Sequence, residues 1–399
     1  MHHVDLSISI VSYCSAGVLL RCLRSILENA QGISLEITVT DNASKDGAVE
    51  SVRLAFPAVE VIQNTLNEGF GKVHNRVLRR AKGRYVLVLN PDTIVLPGAL
   101  QALVEFMDDH PDAGMAGCRN WLDDERNFQI FCRPTPSLLF AVMECTSFGR
   151  LFPNSRRARK FWNTAANLEI DAPVQVREVL GSAIVVRMDA SRQAGLFDEA
   201  FFLYYEEYDW YRRMISSGRK IYLVPRAELI HLAGQSSRQS DPQWIDAISR
   251  RSRDYYFRKY YGRLGLWFIR LLGASDALGL RLYSKLARRE FDETVSGAEG
   301  ITLKWPDVAG VREYLVEISL NAGFLNLAAT RTANRELVLP RKFLQQLPAP
   351  RFFWRVSPIL RDGAWGKFIR RGVVDGCWSG EESSQQEDSS STRREAIPL

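Results

Sequence analysis

Arg84-Tyr85-Val86-Leu87-Val88-Leu89-Asn90-Pro91-Asp92-Thr93 is apolar without alternation from Tyr85 to Leu89. That pattern belongs to a strand buried on both faces of a parallel sheet. Asn90-Pro91-Asp92 ends it abruptly, because proline has no N–H to give to the ladder. An amide and a carboxylate therefore emerge at the carboxyl end of the strand, the edge of an open α/β sheet where ligands bind. No Lys or Arg adjoins Asp92, so it is a candidate ligand for a hard divalent cation. A turn aspartate following proline is the other reading.

Working outward, the neighbouring segments repeat one unit. Leu6 to Tyr13 reads as a strand, Val18 to Glu28 as a helix, and Leu35 to Thr40 as a second strand that stops at Asp41-Asn42-Ala43-Ser44. Val49 to Ala55 is a short helix and Val59 to Gln63 a third strand. The loop Asn67-Glu68-Gly69-Phe70-Gly71 leads into a helix from Lys72 to Ala81, and Pro97 to Asp109 is a helix with proline in its first turn. Regular alternation of this kind predicts right-handed βαβ units, hence an α/β fold with a mostly parallel sheet flanked by helices.

The turn after the first strand excludes two nucleotide-binding folds. No GxxxxGK occurs, and Ser12-Tyr13-Cys14-Ser15 lacks the dinucleotide glycine fingerprint. There remains a set of polar residues at three carboxyl strand ends, Ser12/Tyr13, Asp41/Asn42 and Asn90/Asp92. Converging on one edge, they could hold a base, a ribose and a metal-bound diphosphate. Asp41 can accept from a pyrimidine N3–H, and the Asn67 loop can approach a ribose; turn chemistry is the other account of Asp41-Asn42.

Residues 119–178 read as an irregular excursion containing the basic cluster Arg156-Arg157-Ala158-Arg159-Lys160. Val179 to Val186 returns as a buried strand with Gly181-Ser182 at its entry, where small residues permit close backbone approach. From Gly195 to Arg213 a wall of aromatics (Phe201, Phe202, Tyr204, Tyr205) precedes Glu206, Glu207 and Asp209 at the start of a helix ending at Gly218. Acids complement the macrodipole there, and Asp209 with Arg213 is an i,i+4 pair. A carboxylate against apolar rings also has its pKa raised, as a general base requires. Lys220 to Val224 is a further strand, with His231-Leu-Ala-Gly234-Gln-Ser236 on the loop after it.

With 399 residues, 46% hydrophobic and 25% charged, the chain has room for two or more domains. The net charge of +6 suits an anionic ligand or a bilayer surface and gives no sign of a nucleic-acid partner. Cys14, Cys22, Cys118, Cys132, Cys145 and Cys377 show neither CxxC nor zinc spacing, which predicts thiols in a reducing compartment. No signal peptide opens the chain and no apolar run is long enough to span a bilayer, so a cytoplasmic location is expected.

Taken in order, Ser12-Tyr13, the Asp-Asn-Ala-Ser loop at 41–44, Asn67-x-Gly69-Phe70-Gly71, Asn90-Pro91-Asp92, the 197–213 run and His231-x-x-Gly234-x-Ser236 resemble the family 2 glycosyltransferases, and within them the rhamnosyltransferase-like bacterial group. The resemblance covers residues 5–261. It implies a GT-A fold, a nucleoside-diphosphate sugar donor, Mg2+ or Mn2+, and inversion at the anomeric carbon. Carried over by position, Asp92 is the metal-binding acid and His231 supports metal or diphosphate. Asp41 meets the base, with Ser12, Tyr13, Asn42, Asn67, Gly69, Gly71 and Asn90 as the other donor contacts. Glu207 takes the place of the catalytic residue, with Glu206 and Asp209 beside it, and Gly181, Ser182, Tyr205 and Trp210 are the candidate acceptor contacts. The chain departs from the family in having Glu206-Glu207 where Glu-Asp is usual, and one carboxylate where a full DXD motif has two. No Gln-x-x-Arg-Trp follows His231, so transfer of one or a few sugars, to a glycan or lipid-linked acceptor, is expected rather than polymerisation.

The catalytic domain is expected to span 1–262. Residues 263–297 form a basic amphipathic segment with Arg270, Arg281, Lys285, Arg288 and Arg289, suited either to a membrane interface or to docking on the catalytic domain. Residues 298–375 alternate with period two at Ile301/Leu303/Trp305, Tyr314/Val316/Ile318 and Phe352/Trp354/Val356, indicating an antiparallel β-sandwich similar to a fibronectin type III domain with tryptophans in its core. Residues 376–399 are Ser/Glu/Gln-rich, a composition that does not fold. Two rival functions stand beside the first: a sugar nucleotidyltransferase, which needs a Gly-rich basic loop that Ser12-Tyr13-Cys14-Ser15 does not supply, and a catalytically inactive glycan-binding protein, against which the acids at 92 and 206–209 argue.

Overall fold

The computed structural model describes residues 4–130, 134–145, 170–232, 241–287, 292–293, 296–297, 300–319, 328–347, 351–359 and 369–375. The basic cluster at 156–160, Gly234 and Ser236, and the segment from 376 onward lie outside the described residues.

Strand β1 (Leu6–Ser12), α1 (Ala16–Glu28), β2 (Leu35–Asp41), α2 (Ala48–Ala55), β3 (Glu60–Gln63), α3 (Gly71–Leu78) and β4 (Tyr85–Leu89) follow one another as the alternation requires. The four strands are parallel in the spatial order β3-β2-β1-β4. Strand β4 shows why its sequence does not alternate. Tyr85, Leu87 and Leu89 enter one core with Leu6, Ile8 and Ile10, while Val86 and Val88 enter a second with Ile184, Val186, Trp210 and Met214. Each such side chain contributes roughly 1.5–3 kcal/mol by leaving water, so β4 is fixed from both faces and its carboxyl end is a rigid platform.

The chain continues through β5 (Thr93–Val95), α4 (Ala99–Asp109), β6 (Ala113–Trp121), β7 (Gln129–Ile130), α5 (Leu138–Cys145), β8 (Val174–Val176), β9 (Ala183–Arg187), α6 (Met188–Ala194), α7 (Glu206–Ser216), β10 (Lys220–His231) and α8 (Pro242–Ala287). β9 runs antiparallel between β4 and β6, and β6 is parallel to β10, so the sheet is mixed around a parallel core. Three sequence expectations change here. β6 is a full strand that the sequence reading does not contain, and its last three residues belong to what reads as an irregular excursion. β9 begins at Ala183, leaving Gly181 and Ser182 in the turn before it. β10 runs on to His231, which is therefore the end of a strand rather than part of a loop. A register shift between Val224 and Glu228 lets it carry Pro225, which has no N–H for the ladder.

Helix α8 starts within residues that carry no sequence-based assignment and is broken at Gly262 (φ 67°). Tyr256 and Phe257 before the break and Ile269 after it bury with Phe201 and Ala141, so the segment past 262 docks on the α/β part of the chain. The expected C-terminal β region is present: β11 (Asp292–Glu293), β12 (Ser296–Gly297), β13 (Gly300–Lys304), β14 (Glu313–Ser319), β15 (Ala328–Thr332), β16 (Glu336–Pro340), α9 (Arg341–Gln346), β17 (Arg351–Ile359) and β18 (Arg370–Asp375). Trp305, Tyr314 and Trp354 lie in its core, as do Leu122, Phe128 and Ile130 from the α/β part of the chain, and β15 pairs with β7. A buried bidentate pair crosses β14 and β17, with Arg355 Nε 2.5 Å from Glu317 Oε2 and Nη2 2.8 Å from Oε1. Among the described residues no helix is long and apolar enough to cross a membrane, and Cys14, Cys22 and Cys118 are free thiols.

Candidate active site

A cleft of about 360 Å³ opens at the carboxyl ends of β1, β2 and β4. Its polar end is built by an antiparallel pairing that the primary structure does not reveal. Thr93, Ile94 and Val95 of β5 pair with His231, Ile230 and Leu229 of β10, and the Leu232 N–H donates to the Asp92 carbonyl (2.9 Å). The pairing brings His231 Nε2 to 3.3 Å from Asp92 Oδ1. The Thr93 hydroxyl donates to the Asn90 carbonyl (2.8 Å), closing the Asn-Pro-Asp turn that presents the carboxylate. Among the described residues no third His, Cys, Asp or Glu completes a metal cluster, and His231 Nδ1 is buried without a partner. One carboxylate oxygen and one imidazole nitrogen at this separation could both contact a single divalent cation.

On the donor side, Asn42 holds the glycine loop in shape. Its amide donates to Asn67 Oδ1 (2.8 Å) and the Gly69 carbonyl (3.0 Å), and its oxygen accepts from Asn64 Nδ2 and the Glu68 N–H (both 3.0 Å). Tyr13, Asn42, Asn67, Gly69 and Asn90 line the cleft; Ser12, Asp41 and Gly71 do not. Ser12 is buried, 2.8 Å from the Ser15 hydroxyl, and Gly71 backs onto Phe197. Asp41 is buried too: Oδ2 accepts from the Ser44 N–H (3.0 Å), while Oδ1 has no hydrogen-bond partner among the described residues.

The opposite side of the cleft is set by a strained entry into α7. Tyr204 (φ 68°) and Tyr205 (φ 71°) both adopt the left-handed conformation, which side-chain-bearing residues rarely take. Neighbours hold them there. The Phe70 N–H donates to the Phe202 carbonyl (2.8 Å), the Ser252 hydroxyl of α8 to the Leu203 carbonyl (2.8 Å), and the Asp209 N–H to the Tyr205 carbonyl (3.1 Å). The turn delivers Glu206 and Glu207 to the cleft. Glu207 is half-buried and faces Gly181: a methyl added there would stand 3.6 Å from its Oε1. Burial pushes the Glu207 carboxyl up to about 7. Glu206 is held well above the ordinary range, first by burial and then by the neighbouring Glu207 charge, and its Oε2 has no partner among the described residues.

Other candidates fall elsewhere. Asp209 lies outside the cleft, 2.8 Å from Arg213 Nε, 2.5 Å from Lys259 Nζ and 2.7 Å from the Tyr260 hydroxyl, in a cluster that ties α7 to α8. Trp210 is fully buried against Phe197 and donates to the Gly195 carbonyl (2.8 Å), and Tyr205 packs on Tyr256, so neither ring reaches the cleft. Gly181 and Ser182 do line it; the Ser182 hydroxyl donates to Asn120 Oδ1 (2.8 Å) and its carbonyl accepts from the Asn90 N–H (2.8 Å). Trp244 and Ile245 of α8 also line the cleft, with Trp244 edge-on to Phe202 at 6.0 Å. Neither was legible: they lie beyond the last motif, and no local pattern marks them as wall residues.

Residues 7–162 match Glycosyl transferase family 2. The chain is a glycosyltransferase. The matched stretch carries β1 through the Asn90-Pro91-Asp92 turn of this glycosyltransferase. An N-acetylglucosaminyl-diphospho-decaprenol L-rhamnosyltransferase of Mycobacterium tuberculosis (strain CDC 1551 / Oshkosh) is 29% identical over 240 residues, 57% of this chain and 76% of that protein. The succinoglycan biosynthesis protein ExoO of Rhizobium meliloti (strain 1021) is 30% identical over 105 residues, 26% of this chain and 30% of that protein. Among solved structures, mannosyltransferase PcManGT from Pyrobaculum calidifontis, in complex with GDP-Man and Mn2+, aligns at TM-score 0.42 and 16% identity over 72% of this chain and 81% of that one.

Proposed function

We propose that this glycosyltransferase moves a sugar, with inversion, from a nucleoside diphosphate to a hydroxyl of a lipid-linked or glycan acceptor, with Glu207 as general base. The observation carrying this reading is a carboxylate titrating near neutrality, half-buried opposite Gly181, in the same cleft as the Asp92–His231 pair. In the reaction the acceptor oxygen attacks the anomeric carbon while its proton passes to Glu207, and the bond from that carbon to the diphosphate oxygen breaks, the electron pair leaving with the diphosphate. Asp92 and His231 would hold a Mg2+ or Mn2+, which when bound supplies Lewis-acid neutralisation of the leaving diphosphate. Burial of Glu206 and the neighbouring Glu207 charge both raise its carboxyl, which disfavours a second negative charge in the site. The side chains of Phe202, Leu203, Tyr204, Trp244 and Ile245 provide an apolar wall for the acceptor. Similarity to the mycobacterial rhamnosyltransferase supports rhamnose as the sugar and a diphospholipid-linked acceptor.

The test is thermal unfolding with dTDP, UDP and GDP, each with and without Mn2+, on the wild type and Asp92→Ala. A pyrimidine diphosphate should stabilise the wild type more than GDP does, only with metal, and the gain should vanish in the variant. Folded protein that responds to none of the three nucleotides refutes the reading.

A further inference from the structure

Past the break at Gly262, helix α8 buries Gly265 and Ile269 and turns three large apolar side chains outward: Leu264 is 82% exposed, Trp267 63% and Leu271 51%. Spaced i, i+3 and i+7, they share one helix face. The other exposed large apolar residues among those described, Leu27, Leu54, Leu66, Leu139 and Val338, sit singly on separate elements, where solitary exposure needs no explanation. Arg263 and Arg270 are exposed on the flank of the Leu264–Trp267–Leu271 face, and no acidic residue occurs between 255 and 275. Arg270 also reaches Asp254 (2.8 Å), leaving Arg263 as the flanking cation for which no ion pair is found among the described residues.

We propose that this face seats the enzyme on an anionic bilayer surface, lying in the headgroup layer without crossing it. An apolar stripe with an interfacial tryptophan and an arginine flank is the composition of a helix that binds at that depth, and the net charge of +6 adds long-range attraction to acidic lipids. The docking of Ile269, Tyr256 and Phe257 against Phe201 fixes the rotation of the helix, so the face is presented before any membrane is met. The same helix supplies Trp244 and Ile245 to the cleft. Docking would therefore bring the cleft to acceptors carried by lipid, a consequence that rests on the function proposed above, whereas the docking itself does not.

The experiment is co-sedimentation of the full chain with phosphatidylcholine vesicles, with and without phosphatidylglycerol, in the absence of any sugar donor or acceptor. Wild type should pellet with the anionic vesicles and far less with neutral ones. The triple variant Leu264→Ser, Trp267→Ser, Leu271→Ser should lose more than about tenfold in vesicle affinity, and Arg263→Glu should lose affinity only for anionic vesicles, both with the unfolding temperature of wild type. Three results overturn the proposal: wild type that stays in the supernatant, a triple variant that binds as wild type does, or a wild-type dimer that ignores vesicles and is split by the triple change, which would make the face a contact between copies. Since no nucleotide is present, failure here leaves the donor-binding test standing, and the reverse holds too.

Discussion

Glu207→Gln should stabilise the protein while destroying turnover. Burial lifts the Glu207 carboxyl from an ordinary 4.5 to about 7, so the folded state holds that proton more tightly than the unfolded one. By linkage, the penalty for Glu207 is absent below pH 4.5, grows as the pH rises from 4.5 to 7, and stays constant above. Each tenfold in proton affinity is 1.36 kcal/mol, so the fully developed penalty is roughly 3 kcal/mol, and nearer 2 for a side chain that keeps some contact with water. Glutamine keeps the shape without the charge. Urea unfolding of wild type and variant should therefore differ by less than about 1 kcal/mol at pH 5 and by roughly 2–3 kcal/mol at pH 8, as a midpoint shift at constant slope. In parallel, sugar transfer by wild type should rise with pH through about 7, and the variant should lose about 10²–10⁴ in rate. Glu206→Gln removes the neighbouring carboxyl, and the pH-dependent step near 7 should remain, because burial of Glu207 itself is what raises it. A Glu207→Gln protein no more stable than wild type at pH 8, or equally stabilised at both pH values, would refute the reasoning.

Two further perturbations probe the supports of the site. Asp209→Ala takes a shared acceptor from Arg213, Lys259 and the Tyr260 hydroxyl, but Lys259 keeps Asp198 (2.6 Å) and Arg213 keeps the Ala194 carbonyl (2.8 Å). It should lose about 1–3 kcal/mol in urea unfolding, while Asp209→Asn, which keeps a hydrogen-bond acceptor for Tyr260, should lose less. In the C-terminal β region, Glu317→Ala takes the bidentate carboxylate from the buried Arg355 and should lose about 3–5 kcal/mol; the double replacement Glu317→Leu, Arg355→Leu should recover most of that loss in the same assay.

The parallel core was legible because β4 is apolar at every position and Pro91 stops it, two signals that local sequence carries in full. β6 was not, because Gly114, Gly117 and Asn120 interrupt any apolar pattern. The two glycines answer to distant partners: a Cβ at Gly114 would stand 2.4 Å from Met214 Sδ, and one at Gly117 2.4 Å from Val179 Cβ. β10 read as ending at Val224 because Pro225 is normally a stop, and only a register shift against β6 lets the strand pass it. At the site, Asp92, His231, Glu206 and Glu207 could be named from their motifs and do meet in one cleft. Asp209 belongs to the same motif, yet its environment is decided by Lys259 and Tyr260, about fifty residues on, and by how α8 crosses α7. Motif spacing carries the residue type; which carboxylates face solvent depends on helices packed from elsewhere in the chain.

The Phe202 carbonyl takes the Phe70 N–H at 2.8 Å, and a Cβ at Gly69 would come within 2.4 Å of the same oxygen. That single atom constrains recombination. A chimaera that imports residues 195–216 from a relative to change acceptor preference also imports a new position for this oxygen, and the native 67–71 loop would then either clash with it or lose its hydrogen bond. The two segments, more than a hundred residues apart, form one exchangeable cassette, and engineered swaps should carry them together.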